Sequence, residues 1–169
     1  IDGLGTTQLV ALTTAQVSAL TSTQLRALTT SDLDAFTTTQ FAAMTSGQLA
    51  SLTTTQVANL ETSDLAALST AQIRAFTSAQ MAAMDTSDLA SLTSAQLGAL
   101  TTAQVVALTT TQVAALDSSD LAALTSSQWR AMATDDIAAL TSTQISAITT
   151  GDLVALTGAQ LTAMGTTDF

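Results

Sequence analysis

The chain has 169 residues, 47% of them hydrophobic, which is enough for a sizeable core. Thirteen acids stand against three basic residues, a net charge of −10 that argues against nucleic acid and against anionic membrane surfaces. Cysteine is absent, so disulfides and thiolate metal sites are excluded.

From the first residues onward the chain repeats every eight positions. Residues whose numbers are multiples of eight run Gln8, Gln16, Gln24, Asp32, Gln40, Gln48, Gln56, Asp64 and so on to Asp168, always Gln or Asp. The next position is always apolar, from Leu9 and Val17 through Trp129 to Phe169. Two places later stands Ala, except at Ser51, Asn59 and Ser91, and it is followed by Leu, Phe, Met or Ile. Thr and Ser dominate the two positions after that. A polar group interrupts every octad, so no run of 18 apolar residues exists and no membrane insertion is expected. Neither proline nor insertion breaks the register. Residues 1–169 therefore read as one continuous array. Ile1 and Phe169 share the same octad phase, so the chain reads as a fragment of a longer array with no signal peptide of its own.

A strand needs apolar residues at spacing two, and Val17, Ala19 and Leu20 mix odd and even positions. A single long helix fails too, because eight residues overshoot two turns and the apolar stripe would wind around it. The β-solenoid that threonine content favours is the alternative that far-UV circular dichroism separates. Thr13-Thr14-Ala15-Gln16 instead has the form of a capping box, with Thr13 as N-cap and Gln16 reaching back to its backbone N–H. The same pairing is expected at Thr21 and Gln24, Thr101 and Gln104, and Thr109 and Gln112. Asp85 and Asp117 can replace the capping Thr, whereas Gly5, Glu61, Ala133 and Gly165 depart from it. Each octad thus predicts a helix of about two turns, Thr14 to Leu20 in the second repeat. On a helical wheel Val17, Leu20, Gln16 and Ala19 share the inward arc, while Arg26, Arg74, Arg130 and Asp34 occupy an outward position.

One octad buries too little apolar surface to offset the ordering of eight residues, so octads must stack. The predicted fold is an all-α solenoid of about 21 octads, with three or four octads per superhelical turn. Leu points to the axis, Ala permits close backbone approach, and the inward Gln takes partners from stacked octads.

Four acid pairs recur: Glu61/Asp64, Asp85/Asp88, Asp117/Asp120 and Asp135/Asp136. Asp85, Asp88, Asp117 and Asp120 are candidate calcium ligands, but their spacing equally suits N-cap and N3 positions, which is the preferred reading. Asp120, Asp136, Asp152 and Asp168 recur every second octad and would draw a line of charge. No catalytic residue is assigned, because His, Cys, Lys and Tyr are all absent and carboxylate pairs mark no unique cleft. No cofactor is expected. Trp129, Phe36/Phe41/Met44 and Phe76/Met81/Met84 read as large core residues.

The octads LTTAQVSA, LTSAQLGA and LTTTQVAA resemble LTTAQ-type repeat tracts of very large exported or surface bacterial proteins, often described as adhesin-like or linked to haem use. That resemblance implies an extracellular or cell-surface spacer, stalk or self-assembling filament. Its haem aspect finds no axial His, Cys or Tyr here. Locally, Leu100 to Leu108 is also similar to the first helix of DNA-reading repeats of plant-pathogen effectors. The proline after the cap is missing, however, and the repeat is shorter and acidic. Self-association, head to tail or lateral, is the expected partnership. The alternative is a module binding protein or glycan on the outward ridge.

Overall fold

The computed structural model describes residues 3–164, which form twenty short helices and, among the described residues, no strand. They are α1 Thr6–Val10, α2 Thr14–Ser18, α3 Ser22–Arg26, α4 Thr30–Asp34, α5 Thr38–Ala42, α6 Ser46–Ser51, α7 Thr54–Val57, α8 Thr62–Ala67, α9 Thr70–Ile73, α10 Ser78–Ala83, α11 Thr86–Ala90, α12 Ser94–Ala99, α13 Thr102–Val106, α14 Thr110–Ala115, α15 Ser118–Ala122, α16 Ser126–Ala131, α17 Thr134–Ala138, α18 Ser142–Ile145, α19 Thr150–Ala155 and α20 Gly158–Ala163. Each helix comes from one octad, and helix n carries residue 8n.

The helices have four to six residues, shorter than the two turns predicted for Thr14 to Leu20. Two local causes set this length. The Leu-type residue leaves the helical region, as at Leu52 with φ −59° and ψ 147°. Its N–H still closes a tight last turn, Leu20 N–H donating to Val17 O at 3.1 Å. The next residue is already the extended N-cap of the following helix, as at Thr21 with φ −77° and ψ 156°. A new helix therefore starts three to five residues after the old one stops.

Helices three apart in the chain touch along the rod, as α2 touches α5, α5 touches α8 and α16 touches α19. Ser78 Oγ also donates to Ala103 O at 3.2 Å, from α10 to α13. Other bonds, described below, join helices four apart. One superhelical turn therefore takes between three and four octads, so successive coils are staggered and no helix lies squarely over another.

The apolar residue after each Gln or Asp is buried from Leu9 to Ile145, Leu9, Val17, Leu25 and Trp129 each at 0% exposure, whereas Leu153 is partly covered and Leu161 is 41% exposed in the last coil. The Leu-type residue lies next to it, buried from Leu28 onward. In the first coil Leu12 and Leu20 are only partly covered. Phe36 and Phe41 meet edge to face at 6.0 Å. The alanines predicted to face inward are not buried. Ala43, Ala83 and Ala123 are half-covered and Ala67 is exposed, because the shortened helix brings this position to the boundary between coils. Close backbone approach occurs instead one residue earlier, at Gly98. A Cβ there would lie 2.9 Å from Ala123 O, in the coil above.

Two outcomes follow from this packing. Deleting residues 93–100 removes one complete octad and keeps every phase, so helical ellipticity per residue is retained. Deleting residues 93–96 shifts every following Gln off its position, and helical signal is lost; circular dichroism compares the two. Trp129 is wholly buried while its indole N–H has no partner. Trp129→Phe removes that orphan donor along with some packing, so chemical denaturation is expected to register a loss of only about 1 kcal/mol.

Candidate functional site

A helix of five residues leaves nearly all its N-terminal N–H and C-terminal C=O groups without intrahelical partners. The octad answers this at both ends with one side chain. Gln16 N–H donates to Thr13 Oγ1 at 3.3 Å, and Thr13 N–H donates back to Gln16 Oε1 at 2.8 Å. The same reciprocal pair joins Thr21 to Gln24, Thr101 to Gln104 and Thr109 to Gln112. At Gly5 only the return bond forms, Gly5 N–H donating to Gln8 Oε1. Glu61 makes no side-chain cap bond, and neither does Ala133.

The other end of the carboxamide crosses to the preceding coil. Gln96 Nε2 donates to Leu65 O at 2.9 Å and to Leu68 O at 2.7 Å. Gln104 Nε2 does the same to Ile73 O and Phe76 O, and Gln112 Nε2 to Met81 O and Met84 O. From Gln40 to Gln160, every glutamine at the octad position donates to the carbonyl 28 residues earlier. Each of these glutamines is buried. Oxygen caps the start of its own helix, and nitrogen caps the end of the helix four octads back. Gln8, Gln16 and Gln24 belong to the first coil. They are exposed, and their nitrogens meet no acceptor among the described residues.

Aspartate performs half of this. Asp85 N–H donates to Asp88 Oδ2 at 2.9 Å and Asp88 N–H donates to Asp85 Oδ1 at 2.9 Å. Asp117 and Asp120 repeat the arrangement. The four calcium candidates are thus two capping pairs on different helices, α11 and α15. Among the described residues no group of three acidic side chains converges as metal ligands. The hydroxyls of Ser87 and Ser119, with backbone N–H groups, hold Asp85 and Asp117 below the usual carboxylate range. Burial pushes Asp88 and Asp120 above it. Burial pushes Asp64 up to about 6, helped by the charges of Glu61 and Asp34.

The line of charge drawn through Asp120, Asp136, Asp152 and Asp168 does not form as one line. Two octads are about half a coil, so Asp136 lies on the opposite side of the rod from Asp120 and Asp152; Asp168 lies outside the described residues. The Arg side chains are scattered over α3, the end of α9 and α16, and make no patch. An open groove of about 710 Å³ between α1 and α4, lined by Thr6, Thr7, Val10, Ser31, Asp34 and Ala35, carries a single carboxylate and no converging polar set. No described helix is long and apolar enough to cross a membrane. The inter-coil bond of Gln has no local motif. Its trace in the sequence is that a long amide or an acid recurs at every eighth residue even where the N-cap partner is Gly5 or Ala133.

Removing one internal bridge should therefore cost more than removing an exposed hydroxyl of the same helix. Gln96→Ala leaves Leu65 O and Leu68 O without their donor and is expected to cost about 2 kcal/mol or more. The exposed Ser94→Ala in the same helix should stay within about 0.5 kcal/mol. Denaturant titration of both variants measures the difference, and equal values would remove the bridge from the account.

The ALTTAQ repeat model matches residues 1–30, 30–62, 57–93, 81–118 and 113–150. No curated protein matches the chain. No solved structure matches it. The five matched stretches together span residues 1–150, most of the chain, and the protein belongs to the ALTTAQ repeat family.

Proposed function

We propose that this repeat protein is a structural, non-catalytic rod that acts as a spacer, stalk or filament element at a bacterial cell surface or in the extracellular matrix. The observation that carries the proposal is the Gln bridge, which links coil to coil by the same bonds wherever glutamine holds the octad position. A joint that recurs in this way can be extended by further octads without redesign. The outer skin supports the same reading. It is built mainly of Thr, Ser and Ala, and only 9% of the chain is charged, which suits regular packing between rods better than recognition of one ligand.

The first coil also supports a way for rods to join. Gln8, Gln16 and Gln24 present carboxamides of the kind that internal coils seat on carbonyls beneath them. A second copy, or more octads of the same kind, supplies such carbonyls. Sedimentation velocity is expected to give a weight-average mass that rises with concentration. Combined Gln8→Ala, Gln16→Ala and Gln24→Ala substitution should reduce that rise. A strict monomer at high concentration would overturn end-to-end assembly, and antibody labelling of intact cells tests the surface location separately.

A further inference from the structure

Four of the positions where Asp replaces Gln line up along one side of the rod. Asp32, Asp64, Asp88 and Asp120 sit on α4, α8, α11 and α15, successive steps of four, three and four helices. A coil takes between three and four helices, so these residues fall above one another along one side. Asp34 and the N-cap acids Glu61, Asp85 and Asp117 lie on the same four octads. Eight of the thirteen acids of the chain therefore follow one seam. No arginine lies on those helices; Arg26, Arg74 and Arg130 belong to α3, the end of α9 and α16.

Within the seam the joint between coils changes chemically. A glutamine at each of these places would donate to the carbonyls 31 and 28 residues earlier, as Gln96 and Gln112 do. A carboxylate has no proton to donate. Leu33 O and Phe36 O beneath Asp64, Val57 O and Leu60 O beneath Asp88, and Leu89 O and Leu92 O beneath Asp120 thus lack the usual side-chain donor. The three Asp residues are nonetheless buried, at 3%, 3% and 8% exposure. Asp136 and Asp152 are also buried, but each accepts a hydroxyl from a neighbouring helix. Thr110 Oγ1 donates to Asp136 Oδ1 at 2.9 Å and Ser126 Oγ donates to Asp152 Oδ1 at 2.8 Å. Asp64, Asp88 and Asp120 receive no such bond.

The charged groups around the three residues are all acidic. Asp64 faces Glu61 of its own cap and Asp34 on α4, with Asp85 and Asp88 on α11 next along the seam. Asp88 faces its cap partner Asp85; Glu61 and Asp64 lie on the α8 octad packed against α11, and Asp117 and Asp120 on the α15 octad along the seam. Asp120 faces its cap partner Asp117; Asp85 and Asp88 on the α11 octad and Asp152 on α19 lie along the seam. The other helices packed against them, α5, α7, α12, α14 and α18, contain no titratable residue.

We propose that Asp64, Asp88 and Asp120 form an acid-tightened seam, in which proton uptake closes the joint between coils on one side of the rod and proton loss loosens it. A neutral carboxyl group removes a buried negative charge from above two carbonyl oxygens. It also supplies an O–H that can reach them directly or through one water. The proton comes from solvent, and no covalent bond changes. Burial, reinforced by neighbouring carboxylates, raises the proton affinity of all three groups above the ordinary range, in Asp64 to about 6. The native rod then holds protons that the unfolded chain has released, so stability grows as pH falls from neutral and is lost as pH rises through the raised values. Asp85 and Asp117 are shifted the other way, so their stabilisation is lost only in stronger acid.

The test uses the full chain, melted by circular dichroism at about pH 5 and about pH 7.5. The expected melting temperature is higher at the lower pH by about 3 °C or more. The shift should persist in about 1 M sodium chloride, where general charge repulsion is screened to about 3 Å. Combined Asp64→Gln, Asp88→Gln and Asp120→Gln substitution restores the usual octad residue. That variant should melt above the parent at the higher pH and lose the shift. A parent that melts lower at pH 5, a shift abolished by salt, or a variant that keeps the shift would each overturn the seam. Carbon-13 NMR titration of the Asp64 carboxyl group gives a reading independent of the variant. A midpoint near 6 supports the proposal, and one at or below about 3.9 overturns it.

Discussion

One primary amide holds this protein together. Helices of four to six residues are too short to satisfy their own backbone, and isolated helices of that length do not persist in water. The glutamine that stands at most of the eighth positions meets both deficits. Its oxygen accepts from the N-cap N–H of its own helix, and its nitrogen donates to carbonyls at the end of a helix four octads earlier. Hydrophobic burial supplies the driving force, through apolar residues at the two core positions. Burial alone, however, would leave a row of carbonyls dry and unpaired between coils. The carboxamide makes coil-on-coil stacking compatible with short helices, and the remainder of the octad is arranged around it.

Local chemistry was legible in the chain itself. Thr13 and Gln16 have the residue types and spacing of a reciprocal cap, and the wheel placed Val17 and Leu20 on the buried side. Two features were not legible. Helix length depended on Leu20, whose side chain suits a helix but whose backbone must turn extended so that Thr21 can begin the next one. Ala19 consequently lies at a coil boundary rather than in the core. The destination of the Gln nitrogen was also hidden, because it depends on the pitch of the superhelix. Pitch arises from packing summed over several octads, and no single repeat encodes it visibly. The same unknown misplaced Asp136 on a common line with Asp120.

Substitution within the repeat is informative because the framework is so uniform. Where Asp stands for Gln the bridge is lost, and a capping bond is kept at Asp88, Asp120, Asp136 and Asp152 but not at Asp64. The hydroxyls of Thr110 and Ser126 turn to the carboxylate at two such places, and three other buried ones stay without that help. Departures at the cap, such as Gly5 and Ala133, are tolerated because the return bond to the Gln or Asp side chain survives. The octad thus tolerates losing its polar contacts, even two or more together as at Asp64 and Asp136, while the apolar pair next to it stays apolar throughout.

The stagger between coils has a mechanical meaning. If each coil held a whole number of octads, the rod would be a pile of identical discs, and shear could run along any flat plane between them. Contacts at both three and four octads instead overlap like bricks laid in running bond. Every joint in one course is spanned by a unit of the next. A load on the rod is then passed from course to course, and no single plane exists along which it can slide or snap.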